Sequence, residues 1–103
     1  MSVRMPSNFG RSGTPESALD LLGHEILAEK AAALGRAGQR VEETLAKLRE
    51  NGESEHRARL LKEAAAAVHA YFIQRELCGL RRHDAVIREY DIPRAVLVRL
   101  GAS

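Results

Sequence analysis

The sequence predicts an all-α fold, a long antiparallel helical hairpin followed by two short C-terminal helices. Three observations carry that expectation. Leu and Ala, two of the strongest helix formers, dominate the apolar residues of the 103-residue chain. The β-branched residues are scattered singly, with no alternating run that reads as a strand. Apolar positions recur at spacings of three and four over long stretches, which is the period of a helix face. Hydrophobic residues at 45% and charged ones at 29% give a globular rather than a disordered composition. The four aromatics are Phe9, Tyr71, Phe72 and Tyr90, so aliphatic side chains must build most of the core.

Residues 1–14 hold Ser, Gly and Pro with few apolar side chains and read as a flexible tail. Residues 15–103 read as a single helical domain. Thr14-Pro15 opens the first helix, with a hydroxyl at the N-cap and proline where its missing N–H costs nothing. This helix should span about 15–50. Leu27, Ala31, Leu34, Gly38, Val41, Leu45 and Leu48 form a coiled-coil-like seam along it, and Leu19, Leu22 and Ile26 add a second stripe near its start. Gly23, Gly35 and Gly38 each weaken a helix by ~1 kcal/mol relative to alanine. At Gly35 and Gly38, close packing against another helix is the preferred explanation.

Asn51-Gly52 stops the first helix and Ser54 caps the second, which should span about 54–79. Its segment AAAAVHAYFI (64–73) is apolar almost all the way round, the pattern of a helix buried on more than one side. Gly79 ends it. A third helix is expected over about 82–90 and a fourth over 93–100, separated by Ile92-Pro93, because proline drives the residue before it out of α geometry. A turn centred on residue 52 would pair positions whose numbers sum to about 104. Phe72 then faces Ala32, and Arg75 faces Glu29 as a structural ion pair that fixes register. The second helix carries two apolar seams, Ala58, Leu61, Ala65, Val68 and Phe72, and Leu60, Ala64, Ala67, Tyr71 and Cys78; two long helices cannot cover both, so a homodimer forming a four-helix bundle is expected, with the C-terminal helices docked at its ends.

The chemistry-bearing residues are few. Asp20 and His24, or Glu53 and His56, have spacings that occur in metal sites, but neither pair has the further ligands such a site needs, so no metal and no cofactor are expected. His69 lies in the apolar run, where a packed imidazole is the plainer reading. No nucleophile constellation can be placed, so no catalytic residue is assigned. Cys78 has Arg75, Arg81 and Arg82 close in sequence, which would favour a reactive thiolate. The plainer reading is a small buried hydrophobe. A lone cysteine fits a reducing compartment. The opening MSVRMPSNFG lacks the apolar run of a secretory signal. No stretch approaches the ~20 apolar residues of a membrane span. A cytoplasmic location with no membrane partner is the expectation.

Net charge is +2 and is partitioned along the chain. Residues 15–74 carry eight bases against ten acids, and residues 75–103 six arginines against four acids. The C-terminal unit has a helix-turn-helix outline, with Arg94 and Arg99 on the second helix. That helix carries Ala95, Val96, Leu97, Val98 and Leu100 and leaves few side chains for base edges, so nucleic acid is disfavoured. The stretch FIQRELCGLRRHDAVIREYDIPRAVLVRLG (72–101), with HEILAEKAAALGRAGQRVEE (24–43), resembles a family of small helical proteins from α-proteobacteria catalogued only as a domain of unknown function. The resemblance implies a bacterial cytoplasmic protein and carries no activity, cofactor or site residue. The functional expectation is therefore a non-catalytic helical interaction or assembly protein that self-associates or meets an unidentified protein partner. Its candidate surface is Arg75, Glu76, Arg81, Arg82, His83 and Arg94. The alternatives are a nucleic-acid-binding regulator and a thiol-based sensor or small enzyme using Cys78.

Overall fold

The computed structural model describes residues 15–51 and 53–100. The expected tail (1–14), the Thr14 cap and Gly52 lie outside the described residues. Four helices follow in order: α1 (Pro15–Glu50), α2 (Arg57–Leu77), α3 (Asp84–Glu89) and α4 (Arg94–Leu97). Among the described residues there is no strand. The chain falls into two units, residues 1–30 and residues 31–103.

In the first unit the described residues are all helical, and Leu19, Leu21, Leu22, Ile26 and Leu27 are exposed. The second unit holds the core. Val41, Leu45 and Leu48 of α1 join Leu60, Leu61, Ala64, Ala65, Ala67, Val68, Tyr71 and Phe72 of α2. Val86, Ile92 and Val96 close the cluster from the C-terminal segment, and α4 packs directly on α2. The α1 seam is thus real from Leu34 onward, while Leu27 and Ala31 are exposed. Removing a buried leucine or isoleucine from water contributes about 1.5–3 kcal/mol, so this short cluster carries most of the stability.

Thr44 sits on the buried face of α1. Its hydroxyl lies 2.9 Å from the Arg40 carbonyl and 3.1 Å from that of Val41, so it is satisfied within its own helix.

The buried residues of α2 cover one broad arc of roughly 160° at 100° per residue. Ala66, His69, Ala70 and Ile73 are exposed on the opposite side. This corrects the expectation of a helix buried on more than one side and of a packed His69. Alanine made the run look apolar everywhere, yet small side chains give little free energy on burial and tolerate water.

The helix ends account for the other boundaries. Asn51 folds back on α1, its N–H and its side-chain amide both 3.0 Å from the Lys47 carbonyl. The Ser54 hydroxyl accepts from the His56 N–H at 3.1 Å, so its capping action falls in the turn and α2 begins only at Arg57. Gly79 at φ +90 closes α2 with two bonds, Gly79 N–H to the Glu76 carbonyl at 3.0 Å and Leu80 N–H to that of Arg75 at 2.9 Å. This is the Schellman pattern. It recurs after α3 with Asp91 at φ +53, where Ile92 N–H reaches the Ile87 carbonyl at 3.0 Å. Pro93 then stands extended as the N-cap of α4. The α4 helix is shorter than expected because Arg99 and Leu100 bond three residues back, a tighter turn than an α-helix.

Gly79→Ala should lower stability by about 1 kcal/mol, since a Cβ disfavours the left-handed backbone, and Asp91→Gly should raise it by about 0.5–1 kcal/mol. Urea unfolding followed by circular dichroism checks both. Midpoints that fail to move in opposite directions would show that these turns do not hold the helix ends.

Candidate functional site

Two neighbouring groups of side chains stand out at the end of α2. The first surrounds Gly38 of α1. A Cβ built there would lie 3.1 Å from the Tyr90 hydroxyl and 3.3 Å from Cε1 of Tyr71, so the absence of a side chain lets two aromatic residues approach the helix backbone. The two tyrosine rings pack edge to face, with centroids 5.7 Å apart and planes at 85°. Gly35, one turn earlier, meets nothing within 4 Å. Of the two glycines read as close-packing positions, Gly38 is one and Gly35 is not.

This contact also corrects the hairpin register. Gly38 and Tyr71 sum to 109 rather than 104. The break between α1 and α2 extends through residue 56, which moves its centre beyond residue 52. Helical side chains also lean toward their own N-terminus, carrying the Tyr71 ring toward the turn. Phe72 accordingly stacks on His83, not on Ala32, with ring centroids 4.1 Å apart and planes at 5°.

Beside the tyrosines is an open cleft of about 480 Å³, lined by Leu34, Gly35, Gln39, Glu42, Tyr71 and Tyr90 among others. Burial pushes the Tyr90 hydroxyl up to about 12 from 10.0, helped by its hydrogen bond with Tyr71 and by the negative charges of Glu42 and Glu89.

The second group is a latch made by Arg75. Its Nε–H donates to Nδ1 of His83 at 3.0 Å, and Nη2 donates to the Arg82 carbonyl at 2.7 Å. His83 Nε2 lies 3.1 Å from a Glu76 carboxylate oxygen. Because Nδ1 accepts from Arg75, the network assigns the ring proton to Nε2, which donates to Glu76. The Arg75 guanidinium also stands 5.9 Å from the centre of the Tyr71 ring. Of the predicted surface residues, the fold brings Arg75, Glu76 and His83 together through side chains and Arg82 through its carbonyl. The Arg82 side chain points to solvent, 3.8 Å from Asp84, and Arg81 and Arg94 are exposed. Glu29 belongs to the first unit, so its ion pair with Arg75 stands as a proposal.

Both ring nitrogens of His83 are engaged, which makes the ring a bridge between helix and loop rather than an available base. Cys78 is half-buried at the C-cap of α2, with its N–H bonded to the Gln74 and Arg75 carbonyls. Among the described residues no three His, Cys, Asp or Glu side chains gather as a metal site. No helix among them is long and apolar enough to cross a membrane.

A family model described as "Family of unknown function (DUF6665)" matches residues 1–103. The chain belongs to that family. Comparison with curated proteins and with solved structures gave no match. The membership agrees with the likeness seen at residues 24–43 and 72–101 and extends it over the whole chain.

Two measurements test the tyrosine node. Gly38→Leu should cost about 1–3 kcal/mol by forcing the rings away. Gly35→Ala, facing open space, should gain up to ~1 kcal/mol from helix propensity. Equal effects at the two sites would contradict the contact. The second test is pH. The folded state holds Tyr90 protonated more firmly than the unfolded chain does, so this contribution is complete below pH 10 and is lost as pH rises toward 12. Stability to urea should therefore fall across that window, and Tyr90→Phe should flatten the fall.

Proposed function

We propose that this protein is a non-catalytic helical assembly protein that acts as a homodimer, its hairpins joining into a bundle of four long helices. One observation supports this reading above the rest. On the first unit's helix, Leu19, Leu21, Leu22, Ile26 and Leu27 are between 53% and 68% exposed in the single chain. Leu19, Leu22, Ile26 and Leu27 share one side of the helix at 100° per residue, an apolar patch of the kind that marks a contact site, with Leu21 on the opposite side. In proteins most helical stability comes from packing an amphipathic face rather than from propensity. Association supplies that packing. The Glu29–Arg75 pair and the surface at residues 75–83 with Arg94 belong to the same proposal.

The alternatives draw less support. A reader of duplex grooves needs a presented helix, and α4 is a single turn whose Val96 is fully buried. For a thiol sensor, Arg75, one of the two arginines three residues from Cys78 in sequence, is committed to His83 and Arg82.

Light scattering during gel filtration at two protein concentrations tests the proposal. The expected mass is twice 11.3 kDa at both. A mass of 11.3 kDa at both would refute self-association and leave the leucine stripe to a different protein.

A further inference from the structure

We infer that the stripe of residues 19–27 on one copy docks on the end of α2 in a second copy, around Ile73, Leu77 and Leu80, in a reciprocal exchange. The inference rests on the self-association reading and adds the surface that receives the stripe. Among the described residues outside the first unit, the exposed large apolar side chains are Ile73, Leu77, Leu80 and Val98. Three of these four lie at one end of one helix. Ile73 and Leu77 are one turn apart on α2, and the Schellman turn at Gly79 holds the backbone of Leu80 directly after them.

Charge fits this pairing. Leu19 to Ile26 spans about 10 Å of helix at 1.5 Å per residue, and Ile73 to Leu77 about 6 Å, with Leu80 just past the helix end. Residues 17–30 carry Asp20, Glu25 and Glu29 against Lys30, a net charge of −2. Residues 75–100 carry six arginines against four acids, a net charge of +2, with Arg81 and Arg82 exposed beside Leu80. Stripe against stripe would bring two acidic segments together, whereas stripe against the α2 end brings opposite charges together. Like charges across an interface disfavour the first arrangement and steer the second. The exchange is also self-complementary. Each copy offers one stripe and one receiving face, so two copies satisfy each other and the assembly closes with twofold symmetry.

Two variants and their mixture provide the test. The stripe variant is Leu22→Lys with Ile26→Lys, and the receiving-face variant is Ile73→Glu with Leu77→Glu. All four side chains are exposed in the single chain, and circular dichroism verifies that each variant stays helical. Light scattering should give a dimer for the wild type and a monomer for each variant alone. An equimolar mixture should recover the dimer, because lysines then face glutamates at one contact while the other contact is native. A receiving-face variant that remains dimeric would overturn the docking and leave self-association standing. Two monomeric variants whose mixture stays monomeric would also overturn it, and a monomeric wild type would sink both readings.

Discussion

The second unit is organised by the approach of Tyr71 to Gly38. A side chain on Gly38 would meet two tyrosines at little more than 3 Å, and its absence lets three elements converge there. The Tyr71 ring lies against α1, Tyr90 at the end of α3 packs edge-on to it, and Arg75 stands over its face. One aromatic side chain therefore fixes the level at which α1 and α2 meet and the place where the C-terminal segment returns. A core of alanine, leucine and valine has little directional preference of its own, so a large rigid ring supplies what the aliphatic contacts do not.

Polar contacts then tie the C-terminal segment to the hairpin at both ends of α3. Before α3, Arg75 and Glu76 hold His83 while Phe72 stacks on its ring. After α3, the Arg49 guanidinium lies 2.8 Å from the Tyr90 carbonyl and 3.3 Å from that of Asp91, satisfying carbonyls that a helix end leaves open. A six-residue helix has little stability alone. These bonds and the burial of Val86, Ile92 and Val96 are what hold it in place.

Much of this was legible in the sequence because it is local. Pro15, Asn51, Gly79 and Pro93 each act through their own backbone, and each marks a boundary within about three residues of the observed one. The α1 seam from Leu34 to Leu48 followed from spacing alone. The sequence singled out Arg75 through its expected register with Glu29. Its contacts with His83 and with the Arg82 carbonyl were not legible, because nothing in a linear sequence shows which way a loop turns after Gly79. Nor could spacing separate the buried arc of α2 from the exposed strip of Ala66, His69 and Ala70, since alanine satisfies either environment. Arg49 gave no signal at all, its role depending on carbonyls some forty residues away.

By itself, the sequence determined the helical class, the order and approximate ends of the four helices, and the charge difference between residues 15–74 and residues 75–103. Those follow from propensity, capping and composition, which act over a few residues. Tertiary structure alone decided the register of the hairpin, the choice of Gly38 over Gly35 as the contact point, the joining of Arg75, Glu76 and His83, and the exposure of the stripe at 19–27. Each of these depends on which surfaces meet across a distance, and that is set by side-chain volume and direction once the helices pack.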